Sequence, residues 1–175
     1  MPACSELSRL AAVRTLDAQA LQADPRFEAI TEVARHLLDV PMISITVVDA
    51  DYQWRVAFQG PLQRLGPLAG AVCPTAMLAR SAFVVRDLSQ DLRFANSPYV
   101  LGDPHLRFYA GWPLTAPGGE PIGAFCAMDV RPRSIGRQEH ELLADLASWV
   151  QQELHRDLRS LTARRADGSS PAFSP

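Results

Sequence analysis

An α+β fold with a mainly antiparallel sheet is what this chain predicts, and three patterns predict it. Residues 42–58 alternate apolar and polar side chains in two short runs separated by Asp49-Ala50-Asp51, which is the signature of a β-hairpin. Residues 107–129 repeat the theme, with Pro117-Gly118-Gly119 as the turn. Both ends of the chain instead space their apolar residues three and four apart, the period of a helix with one buried face.

The elements follow in order. Leu7, Leu10, Val13, Leu16 and Leu21 predict one amphipathic helix over residues 5–22. Asp24-Pro25 then reads as an N-cap followed by proline at the first helical position. Phe27, Ile30, Val33, Ala34, Leu37 and Leu38 form the buried face of that second helix, which stops before Pro41. In the first hairpin, Ile43, Ile45 and Val47 alternate with Ser44, Thr46 and Val48, and Trp54, Val56 and Phe58 alternate with Gln53, Arg55 and Ala57. One face of it is expected to be packed and the other partly wet.

Gly60, Pro61, Gly66, Pro67 and Gly70 predict a loop over 60–72. A short helix over 73–80 starts at Cys73-Pro74, and Phe83-Val84-Val85 is a short strand. Residues 86–105 predict a long connection with short helical turns, of the kind that lids a pocket. Gly136 with Glu139 three residues later is a capping pattern. Leu142, Leu143, Leu146, Trp149, Val150, Leu154, Leu158 and Leu161 trace a stripe along a helix over 137–162, roughly 39 Å long. Its last turns outrun a small sheet and call for another helix as partner. The domain division is a helix over 1–23, a core over 24–135, a dimerising helix over 136–162 and a mobile tail over 163–175.

Composition excludes several classes. The chain has 175 residues, 47% of them hydrophobic, with a net charge of −2, which fits one globular domain. Nucleic acid is not an expected partner, since phosphate binding needs a concentrated basic face. All 17 basic residues are Arg. No run approaches the roughly 18 apolar residues of a membrane span, and Glu6 and Arg9 stand where an export signal would be apolar. Cys4, Cys73 and Cys126 are odd in number and far apart, which fits a reducing cytoplasm better than a disulfide framework.

The chain resembles a GAF domain, of the subfamily found before histidine kinases and diguanylate cyclases in bacterial signalling proteins. The resemblance rests on an ordered set over about residues 6–155. It begins with Asp24-Pro25-Arg26-Phe27 and the run Val47 to Trp54. Val72-Cys73, Val85-Arg86-Asp87-Leu88 and Asp91 to Asn96 follow. Arg107 to Leu114 and Ile122 to Asp129 close it. It implies a central antiparallel sheet with the terminal helices on one face and a ligand pocket under the connecting segments on the other. It also implies a homodimer through the first and last helices, with a separate kinase or cyclase as a further partner.

The expected function is a small-ligand-binding sensory domain that signals through its helices, with no catalytic set and no metal. The sequence does not specify a cofactor. Cys73, Thr75, Asp87, Phe94, Tyr99, Arg107, Phe108, Tyr109, Trp112, Cys126 and Met128 are the candidate ligand-binding residues. An aromatic lining with a few polar groups suits a small-molecule pocket. Phe108 and Ala110 lie on one face of their strand and Tyr109 and Gly111 on the other, and either face can line the pocket. Cys73, at a helix start, is where a thiol pKa falls.

Two alternatives stand beside this reading. Free methionine-(R)-sulfoxide reductases are GAF proteins that act through cysteines; Val72-Cys73 aligns with one of theirs, but Phe94 to Pro98 and Leu62-Gln63 hold no Cys where the others lie. A GAF module with a filled pocket, serving only dimerisation, is the second. Covalent bilin attachment lacks its Cys-His pair, and the Asn-Lys-x-n-Phe-Asp-Glu signature of cyclic-nucleotide binders lacks its Lys. His36, His140 and His155 lie on predicted helices, and His105 precedes the aromatic strand. They suggest no convergent metal set.

Overall fold

The computed structural model describes residues 6–166. It contains α1 (Glu6–Arg14), α2 (Ala18–Ala23), α3 (Pro25–Leu37), β1 (Met42–Val48), β2 (Tyr52–Gln59) and β3 (Leu65–Pro67). Next come α4 (Cys73–Met77), β4 (Phe83–Val85), a 3₁₀ turn (Leu88–Gln90) and α5 (Pro98–Leu101). The chain continues through β5 (Phe108–Thr115) and β6 (Pro121–Asp129) into α6 (Arg137–Ala166). The six strands form one antiparallel sheet in the order β3-β2-β1-β6-β5-β4.

Strand alternation sends each strand's side chains to two different layers. On one face Ile43, Ile45, Val47, Phe108, Ala110, Leu114 and Phe125 pack against Phe27, Ile30 and Ala34 of α3 and Leu143, Val150 and Leu154 of α6. On the other, Met42, Val48, Tyr109, Ala124, Cys126 and Met128 pack against Cys73, Ala76 and Met77 of α4 and Leu88, Phe94, Val100 and Leu106 of the connection. The α+β architecture, with helices on one face and connecting segments on the other, is the expected one.

Several local readings are corrected. The helix expected over 5–22 is broken at 15–17, where Asp17 caps α2 by accepting from the Ala20 N–H at 3.0 Å. Aspartate competes well for a cap and poorly for a helix interior. The loop over 60–72 contains the edge strand β3, held to Tyr52, Gln53 and Trp54 of β2. The supposed wet face of the first hairpin is covered, because the connecting segments close over it: all seven residues of β1 are buried, Ser44 and Thr46 included.

Asp24 caps α3 by accepting from the Arg26 N–H at 2.9 Å. The Glu139 carboxylate reaches back to the Gly136 N–H at 2.8 Å before α6. With 30 residues, α6 is roughly 45 Å long and runs past the expected boundary at 162. Its stripe needs no second chain as far as Leu158, which is buried in the same cluster as Leu16, Leu21 and Phe27. Arg26 clamps this end of the helix through ion pairs to Glu153 and, at 2.8 Å, to Asp157. Trp149 departs from the stripe and is 44% exposed. The tail beyond Ala166 lies outside the described residues, as does Cys4.

Candidate functional site

The sheet face under α4 and the 86–106 connection divides into a packed centre and a polar end. Register brings the centre together. Cys126 lies opposite Ser44 of β1 and Gly111 of β5, while α4 lays Cys73 over them. The Cys73 and Cys126 sulfurs are 3.6 Å apart. The Tyr109 hydroxyl lies 2.9 Å from Cys126 Sγ and donates to Cys73 Sγ at 3.5 Å. Gly111 makes this possible: a Cβ there would stand 2.7 Å from the Tyr109 ring and hydroxyl and 3.0 Å from the Ala76 methyl. Phe83 and Phe94 close the cluster edge-on, with Phe83 also 6.3 Å from the Tyr109 ring.

Three buried acids in contact cannot all ionise. Cys73 takes the charge: its pKa is lowered to about 7, first by the Cys126 hydrogen bond and then by the Tyr109 hydroxyl, the Arg55 charge and Thr46, against the cost of burial. Cys126 and Tyr109 are pushed up, chiefly by burial and by the charge on their neighbours. The largest lowering influence on Cys73 is the hydrogen bond from the partner thiol, and the helix start is not among its causes.

The polar end lies on β1, β2 and β3. Thr46 pairs with Arg55, Val48 with Gln53, and Gln53 with Gly66, so these residues share one face. Ser44 and Thr46 bond each other at 2.9 Å. Gln53 and Arg55 are only 2% and 4% exposed. Arg55 Nη1 donates to the Gln63 carbonyl, yet Arg55 Nε and Gln53 Oε1 are buried without a partner. None of the ion pairs among the described residues includes Arg55. A buried, unmatched polar atom costs roughly 1–3 kcal/mol, and more when charged; Arg35 Nε in α3 is also unmatched, but among the described residues only this end brings two such atoms together.

The expected site residues separate accordingly. Cys73, Phe94, Tyr109, Cys126 and Met128 meet in the packed centre, and Tyr99 reaches the polar end, where its hydroxyl accepts from Gln53 at 3.2 Å and donates to the Pro67 carbonyl at 2.8 Å. Phe108 and Trp112 do not belong with them. They lie on the helix face, where Trp112 meets His140 edge-on at 5.9 Å. Thr75 is exposed on the outside of α4. Arg107 is spent on the carbonyls of Val100, His105 and Leu106. Asp87 caps the 3₁₀ turn through Ser89.

Sequence reasoning missed Ser44, Thr46, Gln53 and Arg55 because the alternating pattern read them as solvent-facing. The available signal was register: polar residues two apart on paired strands must meet on one face.

A groove of about 610 Å³ beside β4 runs along Val84, Arg86, Asp87, Gln90 and Pro132. It is a surface feature whose carboxylates already serve turns, so it is a weaker candidate than the buried polar end. Among the described residues no three His, Cys, Asp or Glu side chains converge as for a metal ion. None of the described helices is long and apolar enough to cross a membrane.

Comparison with known proteins agrees with this architecture. A solved domain of a two-component sensor histidine kinase protein from Sinorhizobium meliloti superposes with a TM-score of 0.61 at 19% identity, over 82% of this chain and 98% of that one. A type II free methionine-R-sulfoxide reductase from Thermoplasma acidophilum gives 0.62 at 14% identity, over 79% and 95%. The blue-light-absorbing PixJ GAF domain of Thermosynechococcus elongatus gives 0.61 at 19%, over 90% and 95%. At such identities the likeness is one of fold.

In sequence, a cyclic di-GMP phosphodiesterase of Pseudomonas aeruginosa is 34% identical over 151 residues, 86% of this chain and 26% of that protein. The chain thus spans about a quarter of that relative. The GAF domain family model matches residues 22–154, and with the sheet order and layers described above, the chain belongs to the GAF domain family.

Proposed function

We propose that this chain is a sensory GAF domain that binds a small ligand at the polar end of the covered sheet face and passes occupancy to α6. The observation carrying this reading is the buried pair of unmatched groups, Arg55 Nε and Gln53 Oε1. A module used only for dimerisation gains nothing from burying them, whereas a ligand that satisfies them recovers their cost. The thiol–phenol centre is filled, so the ligand belongs beside it rather than in it. Likeness to part of a cyclic di-GMP phosphodiesterase supports a regulatory role in cytoplasmic second-messenger signalling, with a cyclase, phosphodiesterase or kinase as the responding partner. Signal transfer by helices calls for a homodimer.

The test is native mass spectrometry of metabolites carried through purification, together with a thermal-shift screen. A retained or stabilising small molecule is expected. A protein that carries nothing and that no compound stabilises would leave only the dimerisation module. Sedimentation at high concentration should show a dimer; a strict monomer removes the helix-coupled part.

A second reading is favoured by the 3.6 Å approach of Cys73 and Cys126. In that chemistry a Cys73 thiolate attacks the sulfoxide sulfur, the protonated oxygen leaves as water as the S–O bond breaks, and Cys126 then attacks Cys73 Sγ, closing the disulfide and releasing the thioether. A thioredoxin-class dithiol would restore the pair. The sensory reading expects no turnover of free methionine-(R)-sulfoxide with thioredoxin. Turnover lost on Cys73→Ser would transfer the assignment to the enzyme.

A further inference from the structure

We infer that the ligand of the polar end is a small monocarboxylate carrying a nearby N–H or O–H donor, held by Arg55 and Gln53. This rests on the ligand-binding reading above and specifies its chemistry.

The guanidinium is a planar fork of five donors shaped for carboxylates. In Arg55 one nitrogen is used on the Gln63 carbonyl, and the buried Nε has no partner. A carboxylate oxygen is the group such an N–H accepts best. Gln53 supplies the complementary demand. The Tyr99 proton is committed to the Pro67 carbonyl, so the Tyr99 oxygen accepts from Gln53 Nε2. That fixes the amide orientation and leaves Oε1 as a buried acceptor. A ligand meeting both must bring an anion and a donor. Side chains of residues two apart on a strand project from the same face, which puts the two groups within reach of one small molecule.

Gly66 lets the Tyr99 hydroxyl close onto this end of the sheet. A Cβ there would lie 2.8 Å from the Tyr99 hydroxyl, 3.6 Å from Gln53 Nε2 and 3.8 Å from Arg55 Nη1. Charge balance selects a monoanion. Arg64, the other cation of this edge, donates to the Arg55 and Val56 carbonyls and stacks on Phe58. Because Arg64 is exposed to solvent, a phosphate dianion would bury a surplus negative charge against the one buried guanidinium, which is costly. Gln63, Arg64 and Leu65 beside this end are exposed, and a ligand reaching Arg55 and Gln53 would have to displace this edge.

The experiment uses the whole chain and titrates lactate, N-acetylglycine and 3-hydroxybutyrate, each beside its amide and beside inorganic phosphate, at constant ionic strength. Binding is read by calorimetry and thermal shift. At least one of the three carboxylates should bind saturably and its amide at least tenfold more weakly. Arg55→Gln should lose at least tenfold in affinity. Should that variant fail to fold, Gly66→Ala serves instead, since it crowds the cradle while keeping the guanidinium. Wild-type thiolate absorbance near neutral pH should also fall on binding, because the ligand's charge offsets Arg55 beside Cys73.

Failure of all three carboxylates, equal binding of the amides, preferential binding of phosphate, or full affinity in Arg55→Gln would each overturn the inference. If the metabolite screen meanwhile finds a neutral ligand, the sensory reading survives without it. If the screen finds nothing, both fall.

Discussion

At the scale of single residues, the Cys73–Cys126–Tyr109 contact makes stability depend on pH in two opposite senses. Cys73 has a folded pKa of about 7 against an ordinary value of 9.0. A depressed acid stabilises the fold fully above its unfolded pKa and loses that contribution as pH falls through the folded one. Stability should therefore rise between about pH 7 and 9. Cys126 and Tyr109 are raised instead, so above their ordinary values the unfolded chain releases protons more readily and stability should fall. Urea midpoints measured across this range should pass through a maximum near pH 9, and Cys73→Ser should flatten the rising limb. Arg55→Gln should move the Cys73 titration upwards, since the guanidinium helps hold the thiolate; thiolate absorbance against pH is the measurement.

Two further substitutions belong to the same centre. Tyr109→Phe removes a hydroxyl that meets both sulfurs and should cost about 1 kcal/mol in denaturant unfolding. Gly111→Ala should cost more, about 1–3 kcal/mol, because the new methyl meets the tyrosine ring and the Ala76 methyl at once. If Gly111→Ala were neutral, the ring would have another place to go and the packed centre would be looser than described.

Among the elements, the junction of α3 and α6 is the most specific. Arg26 bonds Asp24, Glu153 and Asp157, joining the start of one helix to the far turns of the other. Because its side chain is 38% exposed, solvent screens part of this attraction, and Arg26→Ala should cost only about 1 kcal/mol. The loss should shrink in high salt, which melting at two ionic strengths would show. Burial of Leu154 and Leu158 in the same cluster as the chain's own α2 and α3 means that, as far as Leu158, the chain itself supplies the expected helical partner. Periodicity identifies an apolar face, but what covers it depends on tertiary placement of α2 and α3.

That distinction marks how far the sequence could be read. Alternation and helical spacing gave both hairpins, the α3 cap and the long last helix, since each depends on residues close along the chain. Of the two three-residue strands, Phe83–Val85 was legible from its apolar run, but Leu65–Pro67 lies among glycines and prolines, and only its partner strand makes it a strand. The site was half legible. Cys73, Tyr109 and Cys126 were foreseen as residues, but their contact depends on cross-strand register. Arg55 and Gln53 were hidden because a polar residue on an alternating strand looks wet until something folds over it.

Over the whole molecule, the sheet ends on both sides in a strand of three residues, β3 and β4. Pro67 on β3 has no amide hydrogen to offer a newcomer. Such abbreviated margins make a poor template for a further strand from another copy. Aggregation by sheet extension is therefore disfavoured from both rims, even though the interior strands are rich in β-forming residues. Crowded conditions during synthesis should leave this domain dispersed where a broader, flatter rim would seed fibrils.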